Sequence, residues 1–330
     1  MISRRNFIIG MSGILSALIF GKKVDALTPQ IIKYKKSKIA LIKTSDRALG
    51  IKRAINLLGI NPIKGKNLLL KPNFNSSDPF PGSTHNDTLT NLILHLKTMG
   101  AKSITIGERN GSPRNTSDVL KEKGIYDVCK SLGVSLISFD KLPSAEWVRV
   151  KPEQSHWRNG FDVAKPVLDS ECIVSTCCLK THGYGGVFTM SLKLSVSVVH
   201  KRNMLELHTS FFSMRKMIAE INQVYIPALI VLDGTEAFVE GGPAKGQRKR
   251  ADVILVGTDR IAIDAVGLSI LKELGSKKDI MKKKIFEQEQ IARAVELGLG
   301  VENSAGIEIV TDDEKSRMYA DKLRGILLKG

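Results

Sequence analysis

Cysteine is scarce in this sequence, and no pair of cysteines has the Cys-x-x-Cys spacing that holds iron–sulfur clusters or zinc knuckles. The four cysteines are Cys129, Cys172, Cys177 and Cys178. The last three lie in or at the end of an apolar, strand-like run, where buried free thiols are the expected state. We therefore expect no iron–sulfur cluster.

Nucleotide-binding signatures are also lacking. Neither Gly-x-Gly-x-x-Gly nor Gly-x-x-x-x-Gly-Lys-Ser/Thr occurs, so nothing supports a nicotinamide or nucleoside triphosphate ligand. Aromatic residues make up only 5% of the chain. Although the net charge is +17, the lysines are spread along the sequence without a recognition motif, and we expect no nucleic-acid ligand. The clusters at Arg248–Arg250 and Lys282–Lys284 are typical of solvated surfaces; an anionic ligand or a membrane surface is the alternative.

The apolar run near the N-terminus is too short to span a bilayer. It extends from Ile8 to Phe20, whereas a spanning helix needs roughly 20 residues. Arg4-Arg5 precede the run, and Val24-Asp25-Ala26 offers small residues at a cleavage position. This order is typical of a signal peptide that is cleaved after Ala26.

The arginine pair, with Phe7 two residues further on, resembles the twin-arginine signal. That resemblance implies the twin-arginine export machinery as a partner and a periplasmic or otherwise extracytoplasmic mature protein without a stable membrane span. A chain tethered to a membrane by an uncleaved N-terminus is the alternative. We predict a signal peptide at 1–26, a linker at 27–37 and a single α/β domain at 38–330, with an inserted lobe around 143–166.

Short apolar runs bounded by turn residues alternate with segments of helical spacing along the rest of the chain. The pattern predicts strands at 38–43, 67–71, 103–107, 134–139, 172–176, 228–233, 253–257 and 307–311. It predicts helices at 47–58, 88–99, 214–224, 260–274, 285–297 and 313–328, with Asp87 and Asp259 as caps. The fold class is α/β: a layered, mostly parallel sheet covered by helices, with a ligand cleft at the carboxyl ends of the strands.

Several ordered motifs together resemble one known family. They are Lys71-Pro72-Asn73, Lys180-Thr181-His182, Ser191-Leu192-Lys193 before His200, Asp233-Gly234 with Gly241-Gly242-Pro243, and the segment from Asp259 to Ala265. Over roughly residues 66 to 300 the chain is similar to the family called domain of unknown function 362. Some members of that family carry ferredoxin-like cysteine motifs, but this chain lacks those cysteines.

Basic and imidazole side chains follow the predicted strands and form the first group of candidate site residues. His182, His200 and His208 are candidate catalytic acids, bases or metal ligands. Candidates for binding a substrate anion are Lys71, Asn73, Lys180 and Lys193.

Carboxylates at strand ends form the second group. Asp233 and Glu240, with His182, are candidate ligands of a divalent metal. Asp259 also fits a helix cap, which would place Asp264 inside that helix. We expect an enzyme that acts on a small anionic or carboxylated substrate, or, as the alternative, a non-catalytic protein that holds a metal or an anion for an exported system.

Overall fold

The structure is a computed structural model, and it describes residues 36–111 and 113–330. The strands within these ranges are β1 (Ser37–Lys43), β2 (Asn67–Lys71), β3 (Ser103–Glu108), β4 (Ser135–Ser138), β5 (Trp147–Val150), β6 (Phe161–Ala164), β7 (Cys172–His182), β8 (Val187–Thr189), β9 (Leu229–Gly241), β10 (Gly246–Gly257) and β11 (Ile307–Val310). The helices are α1 (Arg47–Leu58), α2 (Asn86–Thr98), α3 (Thr116–Glu122), α4 (Ile125–Leu132), α5 (Lys165–Leu168), α6 (Ser191–Leu194), α7 (Met204–Thr209), α8 (Met214–Ile221), α9 (Arg260–Glu273), α10 (Lys278–Lys282), α11 (Glu289–Glu296) and α12 (Glu314–Lys329).

A nine-stranded mixed sheet forms the centre of the molecule. Its order is β11-β1-β10-β9-β7-β2-β3-β4, with β8 paired to β7. The strands from β9 to β4 are parallel to one another, as are β1 and β11, while β10 is antiparallel to both of its neighbours. The predicted α/β class with a mostly parallel sheet is therefore confirmed.

Helices cover both faces of this sheet, which explains why its strands are apolar on both sides. In β1, Ile39 and Leu41 face the layer that contains α9 and α12, whereas Ala40 and Ile42 face the layer of α1 and α2. All four side chains are fully buried. The alternation follows from the two-residue period of a strand.

All eight predicted strands are present, but three of them are longer than the sequence indicated. β7 continues to His182, and β9 and β10 form a long antiparallel hairpin that turns at 242–245. The expectation that β9 ends near Asp233 is therefore wrong. In the additional part of the hairpin, most of β9 up to residue 239 is buried, whereas residues 246–250 of β10 are all exposed, and these polar residues resemble a loop in the sequence.

A two-stranded sheet of β5 and β6 lies within the stretch where the sequence indicated an inserted lobe.

The predicted cap of α9 is correct: the Asp259 carboxylate accepts the Ala262 N–H at 3.0 Å. Asp87 instead lies in the first turn of α2, where His85 is the cap and accepts the Asp87 N–H. The ring nitrogen of His85 thus performs the function that the sequence assigned to a carboxylate.

No helix in residues 36–111 and 113–330 is both long and apolar enough to cross a bilayer. The predicted signal peptide at 1–26 lies outside the described residues, as does all but the last part of the predicted linker.

Candidate functional site

A small cavity of about 50 Å³ opens at the carboxyl ends of β2 and β3. β7 forms one wall, because it continues past Ser175, the register partner of Lys71, and so extends beyond the end of β2. The hairpin turn at Pro243 and the segment from β8 to α6 complete the enclosure. The lining residues are Asn73, Phe74, Asn75, Glu108, Arg109, Gly111, Lys180, His182, Thr189, Lys193, Leu194, Val196, Ser197 and Pro243.

Lys71 lies beneath this cavity and neutralises Glu108, the one acidic residue that the described part of the chain contributes to the lining. The Lys71 ammonium is 2.6 Å from the Glu108 carboxylate, and both side chains are 1% exposed. Glu108 also accepts the N–H groups of Phe74 and Arg109, each at 2.8 Å. Burial lowers the pKa of Lys71, which the adjacent carboxylate opposes. This ion pair therefore fixes the two loops that follow β2 and β3, and Lys71 itself does not line the cavity.

Arg109 is a buried cation that forms no ion pair with a carboxylate of residues 36–111 or 113–330. Its guanidinium donates to the carbonyls of Asn110 at 2.9 Å and Val196 at 2.6 Å, while its Nε has no partner within the described ranges. Burial lowers the pKa of Arg109 to about 10, so the group stays cationic at neutral pH. A buried charged donor left unsatisfied is costly, and a bound anion would satisfy it.

Lys180 is also buried among neutral oxygens. Its ammonium donates to the Asn73 side-chain oxygen at 3.0 Å and to the Pro243 carbonyl at 3.3 Å, and it also donates to the Gly82 carbonyl. Burial lowers its pKa. Asn73 and Lys180, two of the candidates for binding a substrate anion, thus lie together at the cavity, and the Asn73 amide oxygen holds the Lys180 ammonium.

Lys193 and His182 lie side by side over Gly186. A Cβ at Gly186 would lie 2.9 Å from the Lys193 Cε and 3.2 Å from the His182 Cγ, so a larger residue there would require these side chains to shift. Lys193 has no hydrogen-bond or ion-pair partner in the part of the chain that the structure describes. Burial lowers its pKa to about 8, and the nearby charges of Lys180 and Arg109 add to this effect. Roughly a tenth of the amine is therefore neutral at pH 7.

His182 is a neutral hydrogen-bond donor in this environment. Its Nδ1 accepts the Tyr184 N–H at 3.1 Å, which places the ring proton on Nε2. Burial lowers the pKa of His182 to about 2, and Lys193, Lys180 and Lys277 add to the effect. The imidazole is therefore uncharged at neutral pH, with one proton on Nε2, and its Nδ1 is not available to accept a substrate proton.

Asp264 holds the segment that carries Lys193. Its two oxygens accept the N–H groups of Ser191 at 2.7 Å and Leu192 at 3.0 Å, at the first turn of α6. The carboxyl group is fully buried, and burial raises its pKa to about 7. Asp264 lies inside α9, as the sequence predicted, and positions Lys193 from there.

The other two candidate histidines lie apart from the cavity lining. His208 is on α7, where its Nδ1 contacts the Met204 carbonyl at 2.7 Å and its ring lies 6.0 Å from that of Tyr184. His200 contacts the Trp147 ring edge-on at 4.5 Å and lines a separate surface depression. The chain turns through 195–203 before α7, and this turn carries His200 away from His182.

The expected metal set of His182, Asp233 and Glu240 does not converge. Asp233 forms an ion pair with Arg47 at 2.8 Å and also accepts hydrogen bonds from Thr88 and Thr235. Its carboxylate therefore connects β9 to the first turns of α1 and α2. Glu240 is exposed on the hairpin. Across residues 36–111 and 113–330, no group of three His, Cys, Asp or Glu side chains is arranged to hold a metal ion.

Two further carboxylates have structural roles. Asp259 caps α9 and also accepts the Val301 N–H at 2.8 Å. Glu236 lies 3.8 Å from Arg248 across the hairpin. All four cysteines are buried and free, and burial raises the pKa of Cys178 to about 11.

Arg109 and Glu108 were not among the candidates drawn from the sequence. Both directly follow the predicted strand at 103–107. Ligands of open α/β sheets bind beyond the carboxyl ends of the strands, so this position was the signal that could have identified them. Thr189 was missed as well; its hydroxyl is buried at the cavity without a partner in the described ranges.

A family model matches residues 68–269, more than half of the chain, and its description reads Domain of unknown function (DUF362). The chain belongs to the DUF362 family. The match covers the DUF362 segments that supply Lys71, Arg109, Lys180, Lys193 and Asp264.

Among solved structures, this DUF362 protein is similar to the lactate racemase apoprotein from Thermoanaerobacterium thermosaccharolyticum. The two chains share 10% sequence identity with a TM-score of 0.44, over 87% of this chain and 85% of the other. No curated protein matches the sequence.

Proposed function

We propose that this protein is an enzyme that binds a small carboxylate, or an anion of similar size, in the cavity described above. The observation that carries the proposal is the buried guanidinium of Arg109, whose Nε has no partner in the described ranges and which lines the cavity beside Lys180 and Lys193. Glu108, which also lines the cavity, is already paired with Lys71. The cavity therefore carries excess positive charge in a volume of about 50 Å³, which favours a small anionic group.

Lys193 is the proposed proton acceptor. Its amine has no partner among residues 36–111 and 113–330, and its pKa of about 8 is close to the pH at which a general base works best. The Nε2–H of His182 is the proposed donor to negative charge that develops on the substrate, because its Nδ1 is occupied by the Tyr184 N–H. In this step the substrate loses one proton and the Lys193 amine gains it.

Binding is tested by the rise in melting temperature that lactate, acetate, phosphate and sulfate cause in the full-length chain. We expect the wild type to respond to at least one small anion and Lys193→Met to bind it about tenfold or more weakly, since a hydrogen bond to a charged group contributes about 1.5–3 kcal/mol. Lys102→Gln is the matched control, because Lys102 is exposed at the opposite end of β3. Equal affinities in all three proteins would refute the anion site.

Catalysis is tested separately by following the exchange of solvent deuterium into the bound carboxylate by NMR. We expect exchange in the wild type and none in Lys193→Met at ligand concentrations that saturate both proteins. An anion that binds with the expected dependence on Lys193, yet neither exchanges nor turns over, would refute the enzyme and leave the non-catalytic binding protein that the sequence also allowed.

We also propose that the chain is exported by the twin-arginine route. The support is the sequence of residues 1–26, which lie outside the described residues.

A further inference from the structure

Four of the most exposed large apolar side chains lie on two neighbouring segments next to β7. Tyr184 is 57% exposed at the tip of the turn between β7 and β8, and Leu205 is 75% exposed on α7. Phe211 and Phe212, in the turn after α7, are 63% and 93% exposed. We call these four residues the aromatic loop patch. Soluble proteins rarely expose contiguous large apolar groups without a partner for them.

Contacts between the two segments hold this patch together. The Tyr184 ring lies 6.0 Å from the His208 ring on the same helix as Leu205. Met214, two residues after Phe212, lies against Gly185, since a Cβ there would be 3.1 Å from its sulfur. Arg215 donates to the Gly185 carbonyl at 2.9 Å. The patch is therefore built on ordered backbone.

A basic cleft of about 650 Å³ adjoins the patch, because its lining includes Gly185, the neighbour of Tyr184, and Arg215, which donates to the Gly185 carbonyl. Five cations line this cleft against three carboxylates: Arg215, Lys277, Lys278, Lys282 and Lys283 against Asp279, Glu287 and Glu289. The carboxylate of Glu289 is already paired with Arg215 at 2.8 Å and lies 3.6 Å from Lys283. Lys278 and Lys282 have no carboxylate within 4.0 Å among the described residues. The cleft thus carries an excess of positive charge beside exposed phenylalanines.

We propose that the aromatic loop patch and the basic cleft together dock on an anionic lipid bilayer. Exposed aromatic side chains insert at the boundary between headgroups and acyl chains, while adjacent lysines attract anionic headgroups. The charge complementarity favours a bilayer over an apolar protein partner, because such a partner would bury the two phenylalanines but leave the excess cations unpaired. The net charge of +17 also attracts the protein to an anionic bilayer. This docking is independent of the proposed reaction.

The experiment places an environment-sensitive dye at the tip of the loop, in a full-length Phe212→Cys variant. The native cysteines are buried, so labelling is selective, and the dye reports insertion at this loop whatever residues 1–35 do. We expect a blue shift with vesicles of phosphatidylcholine and phosphatidylglycerol, and little change with phosphatidylcholine alone. The same dye in Leu328→Cys is the control, because Leu328 is 70% exposed on α12, which packs on α9, β1 and β11.

Binding of the unlabelled full-length chain to the same vesicles gives the energetic test. Replacing Lys278 and Lys282 with Gln should weaken the part of the binding that depends on phosphatidylglycerol about fivefold per lysine. Replacing Phe211 with Ser should weaken binding about tenfold, whereas Leu328→Ser should not.

No dye shift with either vesicle would overturn the proposal, as would an equal shift at positions 212 and 328. A concentration-dependent dimer that quenches or shifts the dye at position 212 without lipid, and that vesicles do not displace, would also overturn it and assign the face to a second copy of the chain.

Discussion

The buried carboxyl group of Asp264 gives the structure a pH dependence that can be measured. Its native pKa is about 7, against an ordinary value of 3.8, because burial disfavours the charged form more than the two N–H donors of α6 favour it. Between pH 4 and 7 the native state therefore binds a proton that the unfolded state does not. The stability from this group is fully present below about pH 4 and is lost as the pH rises through 7.

The magnitude follows from linkage, since each pH unit in that window changes the free energy of unfolding by about 1.4 kcal/mol. Asp264→Asn removes the titration while keeping one oxygen acceptor for α6. The difference in unfolding free energy between wild type and Asp264→Asn should therefore grow by about 3 kcal/mol when the pH falls from 8 to 5.

Urea denaturation of both full-length proteins at four pH values between 5 and 8 measures this difference. The difference between the two proteins isolates Asp264 from the other titrating groups. A difference that does not vary with pH would mean that the Ser191 and Leu192 N–H groups fully compensate for burial. A difference that shrinks at low pH would mean that the pKa of Asp264 is depressed, and the argument from burial would be refuted.

Two further predictions concern the cavity and the N-terminus. Gly186→Ala should displace Lys193 and His182 and weaken anion binding about tenfold or more in the melting-temperature assay. Gly325→Ala is the control: this helix position has open space around it, so the substitution should leave binding unchanged and stabilise the fold by about 0.5–1 kcal/mol. Unchanged binding in Gly186→Ala would show that the two side chains do not need this glycine. Replacing Arg4 and Arg5 with Lys should retain the precursor in the cytoplasm, as judged by immunoblotting of cell fractions, and mature protein that still appears outside would refute the twin-arginine assignment.

The sequence predicted the buried strands well because each is apolar on both faces, as in Ile39 to Ile42. It failed for the outer half of the β9–β10 hairpin, where residues 246–250 are all exposed and Arg248–Arg250 look like a basic loop. The secondary structure of such a segment is determined by its pairing with a neighbouring strand, and not by the local sequence pattern.

Part of the candidate site was also predicted from the sequence. Asn73, Lys180, His182 and Lys193 line one cavity because parallel strands end at one edge of the sheet. Asp233 was assigned to this group on the assumption that its strand ended there, but β9 continues and the carboxylate faces Arg47.

The position of β1 also has a consequence for how the chain can fold. β1 is the first described strand, yet its neighbours in the sheet are β10 and β11, more than 200 residues later. No local hairpin or helix can supply those partners, so closing the sheet requires a long loop and favours slow folding. A nascent chain cannot complete this part of the sheet until residue 310 has left the ribosome, and until then the apolar edges of β1 lack their strand partners.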